Sequence, residues 1–207
     1  EPSDLWAQRL PASLRDRIPP ETNSGGGPKP GGTDPKERTH EMAVDGVSGE
    51  VLYPTLGLRF FQARELEVQQ ACIQITNDYL AEYCAAAPDR LWGIGSVPCD
   101  DIKAAVTEME RCKAMGLRGV LIWQVPPPTL SFTTEHYEEF WAAAQDMGMP
   151  VNLHILTAFS DGTRPAAPSA LDSYRRSTIA KLNNVMNSLF DLVLSGVLER
   201  YPRLQVV

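Results

Sequence analysis

Residues 150–155 read PVNLHI, an apolar run that predicts a short buried strand with one histidine near its carboxyl end. In a barrel of alternating strands and helices, catalytic groups are placed at that end of the strands. His154 can therefore reach a metal or a substrate, while Val151 and Leu153 pack on the opposite face of the strand. The alternative is a structural histidine whose ring bonds to a neighbouring carbonyl, but the rest of the chain favours the functional role.

Similar apolar runs recur along the chain and alternate with helical patterns. We predict five strands, near 49–53, 91–97, 118–123, 150–155 and 203–207. The segments between them carry apolar residues at helical spacing, as in residues 63–87. Strict alternation with continuous apolar strands indicates a parallel α/β sheet covered by helices. We expect the strands to lie side by side in chain order, with right-handed crossovers and the helices outside.

This alternation fits either an open doubly wound sheet or a closed barrel. No strand is followed by a G-x-G-x-x-G or G-x-x-x-x-G-K phosphate loop, and this absence favours the barrel. We predict a single domain over residues 1–207. Within it, residues 1–46 form an N-terminal extension with a Gly/Pro-rich loop at 23–34, and residues 47–207 form the strand–helix units.

Length and composition exclude several classes of function. The 207 residues suffice for one sizeable core, and the net charge of -7 argues against a nucleic-acid partner, which needs a basic face. No apolar run reaches the length of a membrane span, and no signal-peptide pattern is present, so we expect a cytoplasmic protein without a membrane partner. The 4 cysteines form no C-x-x-C pair and are predicted to be buried reduced thiols rather than a disulfide or zinc cluster.

Several short motifs occur along nearly the whole chain. They are EPSDLW at 1–6, LYPT at 52–55, NDYLAEYC at 77–84, APDRL at 87–91, LSGV at 194–197 and ERYP at 199–202. The most specific runs from FWAAAQD at 140–146 into MPVNLH at 149–154. This set resembles the amidohydrolase-related family, which includes aminocarboxymuconate semialdehyde decarboxylase. The glycine-rich insert and the loop after His154 lie outside the resemblance.

The resemblance implies a (β/α)8 TIM barrel of the metal-dependent hydrolase type with one divalent metal, usually zinc, manganese being an alternative. Such proteins hold the metal with a histidine motif on the first strand, a histidine on the fifth and an aspartate on the eighth. His154 then corresponds to the fifth-strand ligand, with its second ring nitrogen held by a carbonyl or carboxylate. The chain is accordingly expected to be a fragment that lacks the first strand and the last two βα units and supplies one of about three ligands.

Three further residues are candidates for contact with a substrate. Trp123, Tyr53 and Thr55 follow predicted strands, so each can line a substrate pocket or cap the barrel core. His40 and His136 lie in polar surroundings and are predicted to face solvent. The sequence assigns no catalytic acid, base or nucleophile.

Three functions remain open at this point. The first is a metal-dependent hydrolase in which a metal-activated water attacks a small-molecule substrate. The second is a non-oxidative carboxy-lyase, a decarboxylase, on the same scaffold. The third is an inactive fragment or binding module. We also expect this chain alone to be inactive and to aggregate or form homo-oligomers, because an open barrel arc exposes unpaired strand edges.

Overall fold

The computed structural model describes residues 1–18, 30–160 and 169–207. Its sheet contains β1 (Glu50–Leu52), β2 (Leu91–Ser96), β3 (Gly119–Ile122) and β4 (Val151–Leu153). Each strand pairs in parallel with the next, so the spatial order follows the chain order. The predicted parallel sheet with strands in sequence order is confirmed, whereas the right-handed crossovers stay a prediction.

The fifth predicted strand is present as a short parallel bridge. Val206 pairs with Val151 of β4. The Val151 N–H donates to the Gln205 carbonyl at 2.8 Å, and the Val207 N–H donates back to the Val151 carbonyl at 2.9 Å. Residues 205–207 therefore extend the sheet beyond β4 in the expected order and direction.

Helices connect the strands and precede them. They are α1 (Leu5–Arg9), α2 (Ala12–Arg15), α3 (Pro30–Thr33), α4 (Pro35–Val44), α5 (Leu66–Cys84), α6 (Ile102–Ala114), α7 (Glu138–Met147), α8 (Ala170–Leu194) and α9 (Val197–Arg200). Short 3-10 turns occupy Leu56–Gln62, Pro128–Leu130 and Glu135–Tyr137. The helix α6 begins at an Asp101 carboxylate that accepts the Lys103 and Ala104 N–H groups, and α7 ends at a left-handed Gly148.

The sheet is curled. The Tyr53 hydroxyl, just after β1, donates to Asn152 Oδ1 on β4 at 2.7 Å, although two strands lie between them. In a flat sheet β1 and β4 would be roughly 14 Å apart, farther than these two side chains together span. The strands therefore form an arc whose concave side carries Tyr53 and Asn152, as expected of a partial barrel.

A buried polar clamp joins α5 to the carboxyl end of β2. The Asn77 amide donates to the Ser96 carbonyl at 2.9 Å, and its oxygen accepts the Ser96 N–H at 2.7 Å. Asn77 Nδ2 also donates to Glu108 of α6 at 2.6 Å, and Glu108 pairs with Arg111. The asparagine of the NDYLAEYC motif thus fixes two helices against one strand end.

The N-terminal residues pack on α5. Trp6 is buried, and its indole N–H donates to the Cys72 carbonyl and to the Thr76 hydroxyl, both at 3.1 Å. The predicted boundary between an extension and the strand–helix units at residue 46 stays a prediction. Most of the predicted loop at 23–34 lies outside the described residues, and at its end residues 30–33 form the short helix α3.

The composition-based prediction about the cysteines is confirmed by the structure. The four cysteines are free and buried, as predicted. Within the ranges that the structure describes, no helix combines the length and apolar character needed to cross a membrane.

Candidate metal and substrate site

His154 lies directly after β4 and is half-buried. Its Nδ1 bonds to the backbone carbonyl of Ile155, so Nδ1 carries the ring proton in the neutral imidazole. Nε2 then presents a lone pair, and no residue in the described part of the chain bonds to it. A ring held in this way through one nitrogen is the arrangement that metal-binding histidines use.

Tyr53 packs beside the His154 ring and is held by Asn152, and we call these three residues the His154 cluster. The rings of Tyr53 and His154 lie 5.5 Å apart between centroids. Asn152 donates to the Val120 carbonyl at 3.0 Å and accepts from Tyr53, so its orientation is fixed. Burial raises the pKa of the Tyr53 phenol, which keeps it neutral beside the imidazole.

Thr55 does not join the His154 cluster. Its side chain is exposed, and its backbone N–H donates to the Glu1 carboxylate at 3.2 Å. The Leu56 and Gly57 N–H groups bond to the same carboxylate, which therefore caps the 3-10 turn that follows. Thr55 and Tyr53 share a different cavity of about 160 Å³ near Glu1.

Trp123 also lies apart from His154. It follows β3, is 3% exposed and packs edge-on against Phe61, with 5.4 Å between ring centroids. Both residues line a cavity of about 380 Å³, which we call the Trp123 cavity. Its wall also includes Asp100 and Phe159 but no member of the His154 cluster.

The other two histidines differ from each other. His40 is exposed, as predicted. His136 was predicted wrongly to face solvent: it is half-buried, and its Nε2 lies 2.7 Å from the Cys99 carbonyl oxygen. The turn before α7 packs its ring against the loop that follows β2, which the local sequence does not reveal. Neither residue contacts His154.

The described residues fit one metal ligand and not a complete metal site. No group of three His, Cys, Asp or Glu residues able to hold a metal occurs in ranges 1–18, 30–160 and 169–207. His154 has the correct free nitrogen, so it fits the role of a single ligand, and the remaining ligands are not among these residues.

Sequence reasoning missed Asn152, although a signal for it exists. Residues two apart on a strand face the same side, so Asn152 shares the concave face with His154. The contact with Tyr53 has no such signal, because it depends on the curvature of the sheet.

Comparisons with known proteins identify the family of the chain. The sequence model of a family described as Amidohydrolase matches residues 29–207. The chain therefore belongs to the amidohydrolase family. A curated relative, the gamma-resorcylate decarboxylase of a Rhizobium species, is 28% identical over 142 residues, which cover 63% of this chain and 41% of that protein. The chain thus spans less than half the length of this relative.

Solved structures share the fold. A provisionally assigned amidohydrolase from Staphylococcus aureus superposes with a TM-score of 0.70 and 25% identity, over 83% of this chain and 57% of that one. A dihydroxybenzoic acid decarboxylase from a Polaromonas species, with bound manganese and the inhibitor 2-nitroresorcinol, gives a TM-score of 0.63 and 22% identity, over 98% and 59% of the two chains. The predicted partial-barrel fold is confirmed.

Proposed function

We propose that the protein is a non-oxidative decarboxylase that removes CO₂ from a hydroxylated aromatic acid and uses a divalent metal bound by His154. The observation that carries the choice of reaction is the 28% identity to a gamma-resorcylate decarboxylase. The relatives favour this carboxy-lyase alternative over the hydrolase that the sequence ranked first. The manganese of the Polaromonas enzyme supports a divalent ion and leaves zinc and manganese as alternatives.

The roles proposed for this chain's residues follow from the geometry of the His154 cluster. His154 would hold the ion through Nε2, while the Ile155 carbonyl fixes the ring through Nδ1. When bound, the ion would orient the substrate and stabilise the negative charge that develops as the C–C bond breaks. Tyr53 packs beside the imidazole, with 5.5 Å between the ring centroids, and Asn152 is the positioning residue that holds its hydroxyl.

Substrate contacts are proposed for Trp123, Tyr53 and Thr55. Tyr53 follows β1 and Trp123 follows β3, so both aromatic residues lie at the carboxyl ends of strands, the face on which barrel enzymes bind their substrates. Thr55 follows Tyr53 and is exposed, which leaves its hydroxyl accessible. The expected partner is therefore a small molecule.

The test is a His154→Ala variant of the whole protein, with metal content and CO₂ release from gamma-resorcylate measured together. We expect a loss of about tenfold or more in metal affinity, the scale seen when such a site loses a supporting contact, and a parallel loss of activity. His40→Ala is the matched control, since His40 is an exposed histidine of α4 and belongs to neither the His154 cluster nor the Trp123 cavity. Full metal occupancy and full activity in His154→Ala would show that His154 has a structural role and does not bind the metal.

The hydrolase and the inactive-module alternatives are distinguished in the same assay. Cleavage of an amide or ester of the aromatic acid without CO₂ release would favour hydrolysis. A protein that binds metal through His154 but converts neither type of substrate would favour a binding module.

A further inference from the structure

His154 is the first residue of a four-residue turn that ends at Thr157. The Thr157 N–H donates to the His154 carbonyl at 3.4 Å, which closes the turn. Leu156, the third residue of the turn, has a φ of 80°, a left-handed value that type II turns require and that glycine usually supplies. Leu156 is therefore strained, and its side chain is 56% exposed, so burial does not offset the strain. Such a conformation persists only where the surrounding contacts hold it.

Thr157 makes contacts that hold this turn. Its side chain is buried, with 0% exposed. The Thr157 hydroxyl accepts the Gln124 N–H at 2.7 Å, just after β3, and donates its single proton to the His154 carbonyl at 2.8 Å. The carbonyl of Ile122, the last residue of β3, lies 3.1 Å away as a second acceptor. One hydroxyl group therefore joins the end of β3 to the residue that follows β4.

The turn also sets the direction of the carbonyl that holds the His154 ring. His154 Nδ1 bonds to the Ile155 carbonyl, which belongs to the peptide group between Ile155 and Leu156. Because Thr157 is anchored to β3 and Leu156 is held in one conformation, this peptide group has a fixed orientation. The ring proton consequently stays on Nδ1, and Nε2 keeps its lone pair.

We propose that Thr157 is a positioning residue that fixes the orientation and the tautomer of the His154 imidazole. Its hydroxyl acts through the backbone of the turn, by way of the His154 and Ile155 carbonyls. The consequence for metal binding rests on the proposed function, whereas the effect on the ring is measurable without metal.

The first experiment records the nitrogen NMR signals of the neutral His154 ring in the metal-free whole protein, identified by their absence in His154→Ala. The wild-type protein should show a proton on Nδ1. Thr157→Val keeps the shape of the side chain but removes the hydroxyl, so it should give a mixture of the two tautomers. Thr157→Ser retains the hydroxyl and should retain the wild-type signals. Unchanged signals in Thr157→Val would overturn the proposal.

Thr76→Val is the matched control for the loss of a buried threonine hydroxyl. Thr76 is also 0% exposed, and its hydroxyl donates to the Cys72 carbonyl at 2.8 Å and accepts the Trp6 indole N–H at 3.1 Å. Both valine variants should lower the free energy of unfolding, because each leaves a buried group without its partner. Only Thr157→Val should change the His154 ring signals. An equal change in both variants would mean that Thr157 has no specific role.

The second experiment measures the affinity of the same variants of the whole protein for Mn²⁺. We expect Thr157→Val to bind the ion about tenfold more weakly, the effect of removing a contact that supports a metal ligand, and Thr157→Ser to bind it like wild type. Wild-type affinity in Thr157→Val, together with a loss in His154→Ala, would overturn the proposal and leave the proposed function intact. Wild-type affinity in His154→Ala would instead refute the proposed function, and the ring signals would still decide the role of Thr157.

Discussion

Asp100 is a half-buried carboxyl group whose environment opposes its charge. Burial raises its pKa above 3.8, and the nearby His136 offsets only part of this effect. The folded protein therefore binds this proton more strongly than the unfolded chain does, so the free energy of unfolding decreases as the pH rises above 3.8.

Asp100→Asn is accordingly expected to raise the free energy of unfolding at neutral pH. The gain should shrink towards zero as the pH falls below 3.8, where the wild-type carboxyl is protonated in both states. Urea denaturation of both proteins across this pH range measures the difference in their free energies of unfolding. Asp101→Asn, which changes the neighbouring carboxylate that caps α6, should bring no such gain. A less stable Asp100→Asn protein at neutral pH would contradict this account.

At the residue scale, the sequence predicted the position of His154 at the end of a strand but not the contacts around it, and its role as a metal ligand stays a prediction. A histidine at the end of an apolar run is visible in the local pattern, and the structure places it after β4. Tyr53 was a candidate because it follows a strand, but its contact with His154 comes from curvature. Gln69 lines the cavity next to Trp123. Its position in the first turn of α5 did not indicate from the sequence that it would do so.

At the scale of secondary structure, the clamp around Asn77 is the contact that a substitution would test best. Asn77→Leu should lower the free energy of unfolding by about 3 kcal/mol, because it leaves the Ser96 backbone groups without partners. Urea denaturation measures the effect, with Gln74→Ala on the exposed side of α5 as the control. Similar stability of the two variants would show that the clamp contributes little.

Strands and helices were predictable because their signals are local. Apolar runs marked β1 to β4, and glycines marked helix ends such as Gly148. The length of each strand was less predictable. Within residues 203–207 only Val206 forms a bridge, because strand length depends on pairing with the neighbouring strand. Periodicity likewise identified the apolar residues of α8, but it does not tell what covers them.

At the scale of the whole molecule, the apolar side of α8 is uncovered in the described chain. Leu182 is 64% and Phe190 is 57% exposed, and only Ser188 and Leu192 of this helix are buried. Exposed apolar patches of this kind drive association. Val51 of β1 is also 53% exposed. Among the described strands β1 pairs with β2, on one of its two sides.

Residues 1–207 alone are therefore expected to self-associate. Sedimentation at increasing concentration should show species larger than a monomer, and Phe190→Lys should reduce them. Asn187→Lys is the control, since it adds the same charge at an exposed polar position of α8. A monomer with a sharp cooperative melt would contradict this prediction.

The hydrogen bond from Tyr53 to Asn152 also has a consequence for the order of folding. It joins residues 99 positions apart and closes a loop that contains β2 and β3. Closing so long a loop costs entropy, and contacts of high sequence separation slow folding. Because β2 and β3 set the distance between β1 and β4, the bond forms after these strands have paired. We therefore expect the hydroxyl proton of Tyr53 to be protected from exchange with water only after the four strands have paired and the sheet has curled.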